Sequence, residues 1–168
     1  MAENIMDEII PGLWVGNIYA ATDADALRER NIHSVLTCMR GKVRVAETFT
    51  HFQIQLDDTE DADALAFFPQ CISFIEKELE QGRGVLVHCQ AGVSRSATIA
   101  CAYLMYAEQL DAQTALEKLA KARPGTQYAY LLFICSSSTN ANKDRTTGFL
   151  HSLTSSTRPD ITYLEKIR

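Results

Sequence analysis

The chain has 168 residues, 46% of them hydrophobic and 22% charged, which is the length and composition of one globular domain able to bury a proper core. A formal net charge of -5 at pH 7 argues against a nucleic-acid-binding surface, and no apolar run approaches the about 18 residues that a membrane span requires. Its five cysteines, at 38, 71, 89, 101 and 135, have no CxxC spacing and no paired histidines, which argues against a disulfide framework or a zinc site and fits reduced thiols in the cytoplasm and/or nucleus.

Residues 1–9 are too acidic, and too short in apolar length, to read as a signal peptide. Two short apolar runs between Glu8 and Asn17 are broken by Pro11-Gly12, a pattern that predicts an edge hairpin. Residues 22–30 offer Thr22 as a cap, Asp23 and Asp25 early and Arg28 and Arg30 late, which predicts a short helix matched to its dipole. A buried strand follows at 34–38, then a loop carrying Arg40, Lys42 and Arg44, then an alternating strand at 51–56. Residues 57–63 form an acidic loop that leads into a helix over about 64–81, with Asp63 as its possible cap. This strand-helix-strand rhythm predicts an α/β domain.

Residues 85–105 join an apolar strand, Val85-Leu-Val87, to a helix apolar on nearly every side, 96–105, through a short polar loop. Cys89 and Arg95 stand six positions apart in that loop. So short a loop, closing on a helix N-terminus, points successive backbone N–H groups at one centre, which therefore favours an anion. Loop donors, helix dipole and the charge of Arg95 all favour thiolate over thiol, so Cys89 is expected to be an accessible nucleophile at neutral pH. Further on, residues 111–124 form an amphipathic helix with Ala115, Leu116 and Leu119 inward, stopped by Pro124.

The run His88-Cys-Gln-Ala-Gly-Val-Ser-Arg-Ser96 resembles the His-Cys-x-x-Gly-x-x-Arg-Ser/Thr signature of the cysteine-dependent protein phosphatases, and its flanks resemble the small dual-specificity branch. The resemblance implies an α/β fold with a central, mostly parallel sheet of about five strands flanked by helices, and an active site at the strands' carboxyl ends. It implies hydrolysis of phosphotyrosine and phosphoserine/phosphothreonine in a phosphorylated protein, through a phosphocysteine on Cys89, with no metal and no cofactor. Gln90, Ala91, Gly92, Val93, Ser94 and Arg95 would hold the phosphate, Gly92 because the loop there needs a conformation that suits a residue without a side chain, and Arg95 through a bidentate fork. Ser96 would hydrogen-bond the leaving thiolate, and His88 would either orient the loop or be a satisfied core histidine.

A carboxylic acid must protonate the departing oxygen, and the family places it on the loop after an apolar strand; Asp58 matches best, with Asp57 as its rival. Arg40, Lys42 and Arg44 would either rim the site and attract acidic flanks or a second phosphate, or form a plain solvated loop. Neutral side chains at Gln90, Ala91, Val93 and Ser94 favour protein substrates over an inositol-lipid phosphatase, whose loop would carry lysines. A phosphate-binding scaffold with impaired catalysis is the alternative from another class. Cys38 and Cys89 both end apolar strands, and if those strands are adjacent their thiols could meet, as a cysteine at a similar strand end does in inositol-lipid phosphatases; otherwise Cys38 is a small buried side chain.

The resemblance runs through about residues 8–124 and, weakly, 146–153, where Thr147-Gly-Phe-Leu-His-Ser-Leu153 looks like the family's closing helix. There are 23 residues between Pro124 and Gly148, where the family has only a few before Pro-Asn-x-Gly-Phe and a closing helix. A catalytic domain over 1–153, with an insertion at about 125–145, and a tail over 154–168 are therefore expected, with Thr146 replacing the family's asparagine. Neither oligomeric state nor the particular phosphoprotein can be read from these residues.

Overall fold

In a computed structural model, residues 4–59 and 61–126 are described, and they form a five-stranded mixed sheet with helices on both faces. β1 (Met6–Ile10) and β2 (Leu13–Gly16) are the expected antiparallel hairpin, turned at Gly12, whose φ of +84° suits a residue without a side chain. The other strands are β3 (Ile32–Cys38), β4 (Thr50–Ile54) and β5 (Gly84–His88), and the order across the sheet is β1-β2-β5-β3-β4. All pairings except β1 with β2 are parallel. β5 lies at the centre and every residue in it is buried, as its continuous aliphatic run predicts for a strand covered on both faces.

Alternation along the strands divides the core in two. Leu36, Cys38, Val85 and Val87 face one cluster, filled by Cys71, Ile72 and Ile75 of α3 (Phe68–Glu80), Ile99 and Leu104 of α4 (Arg95–Glu108), and Leu116 and Leu119 of α5 (Ala112–Ala122). Val35 and Leu86 face the other, smaller cluster, with Ala20 and Ala21 of α1 (Ile18–Thr22) and Leu27 of α2 (Ala24–Glu29). None of the helices among the described residues is long and apolar enough to cross a membrane.

Two expectations need correction. The helix expected over 22–30 starts at Ala24 and is capped by Asp23, whose Oδ1 accepts from the Ala26 N–H at 3.0 Å; Thr22 instead ends α1, its hydroxyl turned back to the Ile18 and Tyr19 carbonyls. Both residue types cap well, and the periodicity of so short a helix as α1 is too brief to read. The helix over 64–81 opens with a 3₁₀ turn, Ala64–Phe67, capped by Asp63, before Pro69 enters the first turn of α3 where its missing N–H costs nothing.

Beneath the sheet, Glu78 of α3 is buried and accepts from Ser34 Oγ at 2.5 Å and from Arg83 Nε and Nη2 at 2.7 and 2.8 Å. The Arg83 hydrogen bonds, opposed by burial and helped by Ser34, hold the Glu78 carboxyl below its ordinary value. Breaking a buried pair costs about 3–5 kcal/mol, and because Arg83 is 37% exposed and can rehydrate, Glu78→Ala should cost nearer ~2 kcal/mol in urea unfolding. A depressed carboxyl contributes stability that is present above its unfolded value, about pH 4.3, and lost as pH falls through the folded one. Glu78→Gln should therefore be destabilised at neutral pH and lose less stability than the parent between pH 5 and acid, as unfolding curves across that range would show.

Candidate active site

The loop between β5 and α4 lies at the carboxyl ends of the parallel strands, where an open α/β sheet leaves a crevice. Cys89 follows the last residue of β5. Gly92 has φ +74°, and a Cβ there would meet the Gly16 carbonyl carbon and oxygen at 2.5 Å, so only glycine fits. This tight turn lets the Gly92 N–H donate to Cys89 Sγ at 3.2 Å, while Ser96 Oγ lies 3.3 Å from the same sulfur. Burial opposes ionisation of Cys89. The Ser96 hydroxyl, the Ser96 and Gly92 N–H groups and the Arg95 charge together outweigh it, and the thiol is held below its ordinary value. Cys89 is not the exposed group expected from the sequence: it is 1% accessible, at the floor of the loop.

Arg95 begins α4, its Nη1 donating to the Leu56 carbonyl at 3.3 Å and its Nη2 lying 3.7 Å from Asp58 Oδ2. Its Nε is buried with no acceptor among the described residues. A buried N–H left unpaired costs about 1–3 kcal/mol, and this donor, together with the first-turn amides of α4, makes the turn favourable to an anion. Ser94, the residue before α4, does not cap the helix; its hydroxyl donates instead to Asp58 Oδ1 at 2.8 Å, holding that carboxylate beside the loop. Asp57 turns elsewhere. Its two oxygens accept from Arg40 Nε and Nη2 at 2.5 and 2.9 Å, an exposed pair that keeps the Asp57 carboxyl below its ordinary range.

An arginine, a thiol held below its ordinary value and the Asp58 carboxyl thus converge on one turn. A sequence profile described as "Dual specificity phosphatase, catalytic domain" matches residues 13–131. The chain belongs to the dual specificity phosphatase family.

It is 34% identical over 121 residues to dual specificity protein phosphatase 15 of Mus musculus, covering 72% of this chain and 52% of that protein, and 42% identical over 98 residues to a probable dual specificity protein phosphatase of Dictyostelium discoideum, covering 58% and 45%. The chain therefore spans about half the length of these relatives, whereas it covers 71% of dual specificity protein phosphatase 1B of Arabidopsis thaliana, at 36% identity over 124 residues and 70% of this chain. Among solved structures, that of DUSP15 superimposes with a TM-score of 0.75 at 25% identity, covering 92% of this chain and 98% of that one.

Within this phosphatase domain His88 is fully buried, and burial pushes its pKa down to about 4, so it is neutral. Its Nε2 lies 2.7 Å from Thr37 Oγ1, and the same hydroxyl lies 2.8 Å from Nε2 of the exposed His51. Of the basic loop, Arg40 is engaged by Asp57, while Lys42 and Arg44 are exposed. Cys38 ends β3 beside β5, one position beyond the Thr37–His88 pair in the parallel register, so the two strand-end thiols are neighbours and both are free. Burial, then the nearby sulfurs of Cys71 and Cys89, hold the Cys38 thiol well above its ordinary value despite Arg95.

One contributor escaped the sequence reading. Arg123 caps α5 and is 4% exposed, and its Nε donates to the Gly92 carbonyl at 2.7 Å. An arginine at a helix C-terminus reads as a solvated partner of the dipole, and nothing local announces that it turns inward. The insertion expected within 125–145, Thr146, the closing helix and the tail fall almost wholly in residues 127–168, outside the described residues.

Proposed function

We propose that this domain hydrolyses phosphotyrosine and phosphoserine/phosphothreonine in phosphorylated proteins through a phosphocysteine intermediate. The buried Nε of Arg95, without a partner among the described residues, and the Cys89 thiol whose ionisation the Arg95 charge favours carry this reading: an uncommitted donor and a nucleophile belong to one loop. Arg95 holds two phosphate oxygens, and the amides of Gln90 to Arg95 take up the charge that develops in the transition state. Cys89 attacks phosphorus, forming the S–P bond as the ester P–O bond breaks, and Asp58 gives its proton to the departing oxygen. Asp58 then takes a proton from the water that attacks the phosphocysteine, releasing phosphate and the thiolate, which Ser96 stabilises. Gly92 keeps the turn tight, and Val93 and Ser94 complete the wall of the cradle.

Initial rates on a phosphotyrosine peptide, a phosphothreonine peptide and a phosphoinositide test the reading. It expects turnover of the peptides and little of the lipid headgroup, since the cradle carries no lysine; turnover of the lipid alone, or of nothing, would refute it. The free thiols suit a cytoplasmic and/or nuclear setting.

A thiolate nucleophile is also open to oxidation, and Cys38, one position beyond the Thr37–His88 pair, would resolve it. Peroxide would convert the Cys89 thiolate to a sulfenic acid, and the Cys38 thiol would displace water from it to form a disulfide. Adjacent parallel strands stand about 4.8 Å apart, within the roughly 4.4–6.8 Å that disulfides span. Peptide mapping after peroxide should show a Cys38–Cys89 bridge that reductant reverses, and Cys38→Ser should be inactivated irreversibly. Full recovery of Cys38→Ser on reduction would contradict the protective role.

A further inference from the structure

We infer that Arg123, held by Asp7, is a positioning residue for phosphate binding: it clamps the Gly92 carbonyl and thereby aims the Val93 N–H into the cradle. The inference rests on the phosphatase reading above and extends it to two residues outside the signature motif. Arg123 sits at the end of α5, with its N–H bonded to the Leu119 carbonyl at 2.8 Å and its carbonyl accepting from Thr126 Oγ1 at 2.8 Å. Its backbone is thus fixed, and its side chain runs inward.

There the guanidinium joins two parts of the chain that are remote in sequence. Nε donates to the Gly92 carbonyl at 2.7 Å, and Nη1 donates to Asp7 Oδ2 at 2.5 Å and to the Asn4 carbonyl at 3.3 Å. The Arg123 side chain is 5% exposed and that of Asp7 19% exposed, so water screens this pair little. A buried arginine spends its donors only where acceptors are fixed, and here one acceptor is a peptide of the loop itself.

The consequence follows from the planarity of the peptide group. In a trans peptide the C=O of one residue and the N–H of the next point in opposite directions, so fixing one fixes the other. Arg123 pulls the Gly92 carbonyl to one side and leaves the Val93 N–H on the other, free of that contact. A second clamp acts two residues earlier, where the Ile18 N–H at the start of α1 donates to the Gln90 carbonyl at 3.2 Å and so sets the Ala91 N–H. Between the clamps, the Gly92 N–H donates to Cys89 Sγ. Without Arg123, the peptide after Gly92 could rotate, because glycine carries no side chain to resist it. The two-clamp arrangement makes alternate peptides of the cradle answer to outside elements.

Removing one donor from an oxyanion hole costs about 10²–10³ in kcat, and freeing a donor to rotate costs less. Arg123→Met in the full chain should therefore lower kcat on a phosphotyrosine peptide and weaken inhibition by orthovanadate, each by roughly tenfold or more. Arg123→Lys should fall between parent and Arg123→Met, since one ammonium cannot hold both Gly92 and Asp7. Asp7→Asn, which keeps the fold's shape and leaves Arg123 in place, should weaken vanadate inhibition severalfold and add little in combination with Arg123→Met, as members of one unit do. It decides the matter if Arg123→Met does not fold. A merely structural role would lower the melting temperature and leave kcat and vanadate inhibition of the folded protein at parental values, and that outcome would overturn the inference while the phosphatase reading stood. A parent chain that neither turns over the peptide nor responds to vanadate would overturn both.

Discussion

Cys89→Ser should abolish turnover of a phosphotyrosine peptide while still binding it. The hydroxyl has nothing to make it an anion: the Gly92 N–H, Ser96 and Arg95 lower a thiol from an already modest value, whereas a serine hydroxyl starts far higher. Binding rests on other groups, chiefly the guanidinium of Arg95 and the loop amides, which the substitution leaves in place. Calorimetric titration of Cys89→Ser with a phosphopeptide should return a dissociation constant near the parental KM, and initial rates should fall to background. Turnover near the parental rate would mean that Cys89 is not the nucleophile, and lost binding with a folded chain would mean that the thiolate itself organises the loop.

Asp58→Asn should lower the rate by roughly 10²–10⁴ on a phosphothreonine peptide, the usual worth of a general acid, and by much less on an activated aryl phosphate whose leaving group needs no proton. Asp57→Asn should change neither substrate's rate by more than a few-fold. The two neighbours are told apart by their partners: Ser94 donates to Asp58 beside the loop, whereas Arg40 holds both oxygens of Asp57 and keeps it ionised, with no proton to give. A leaving-group dependence that appears in Asp57→Asn and not in Asp58→Asn would move the role by one residue.

Much of this was legible because the central strand and loop are local in sequence. Val85-Leu-Val87 has the continuous aliphatic character of a strand buried on both faces, and Cys89 and Arg95 sit six positions apart in one short loop, so their convergence follows from spacing, while Gly92 and Ser96 were singled out by the family resemblance. The hairpin at Pro11-Gly12 and the inward face of α5 were legible for the same reason. Contacts between remote segments were not. The resemblance favoured Asp58 over Asp57 as the acid, but the hydrogen bonds that set the two apart come from Ser94 and Arg40, which lie 36 and 17 positions away. Arg123 reaches Gly92 across 31 positions and Asp7 across 116, and no periodicity carries such a signal. The burial of Cys89 likewise depends on how the loop closes over the strand end, which its residue types leave open.

The most direct test of the account is a rapid acid quench of the parent chain during turnover of a phosphotyrosine peptide, followed by peptide mass spectrometry. The account predicts a phosphoryl group on the peptide containing Cys89, present at steady state, enriched in Asp58→Asn with an activated aryl phosphate because hydrolysis of the intermediate is slowed, and absent in Cys89→Ser. Steady turnover with the phosphoryl group on another residue, or on none under conditions that preserve a thiophosphate, would contradict it.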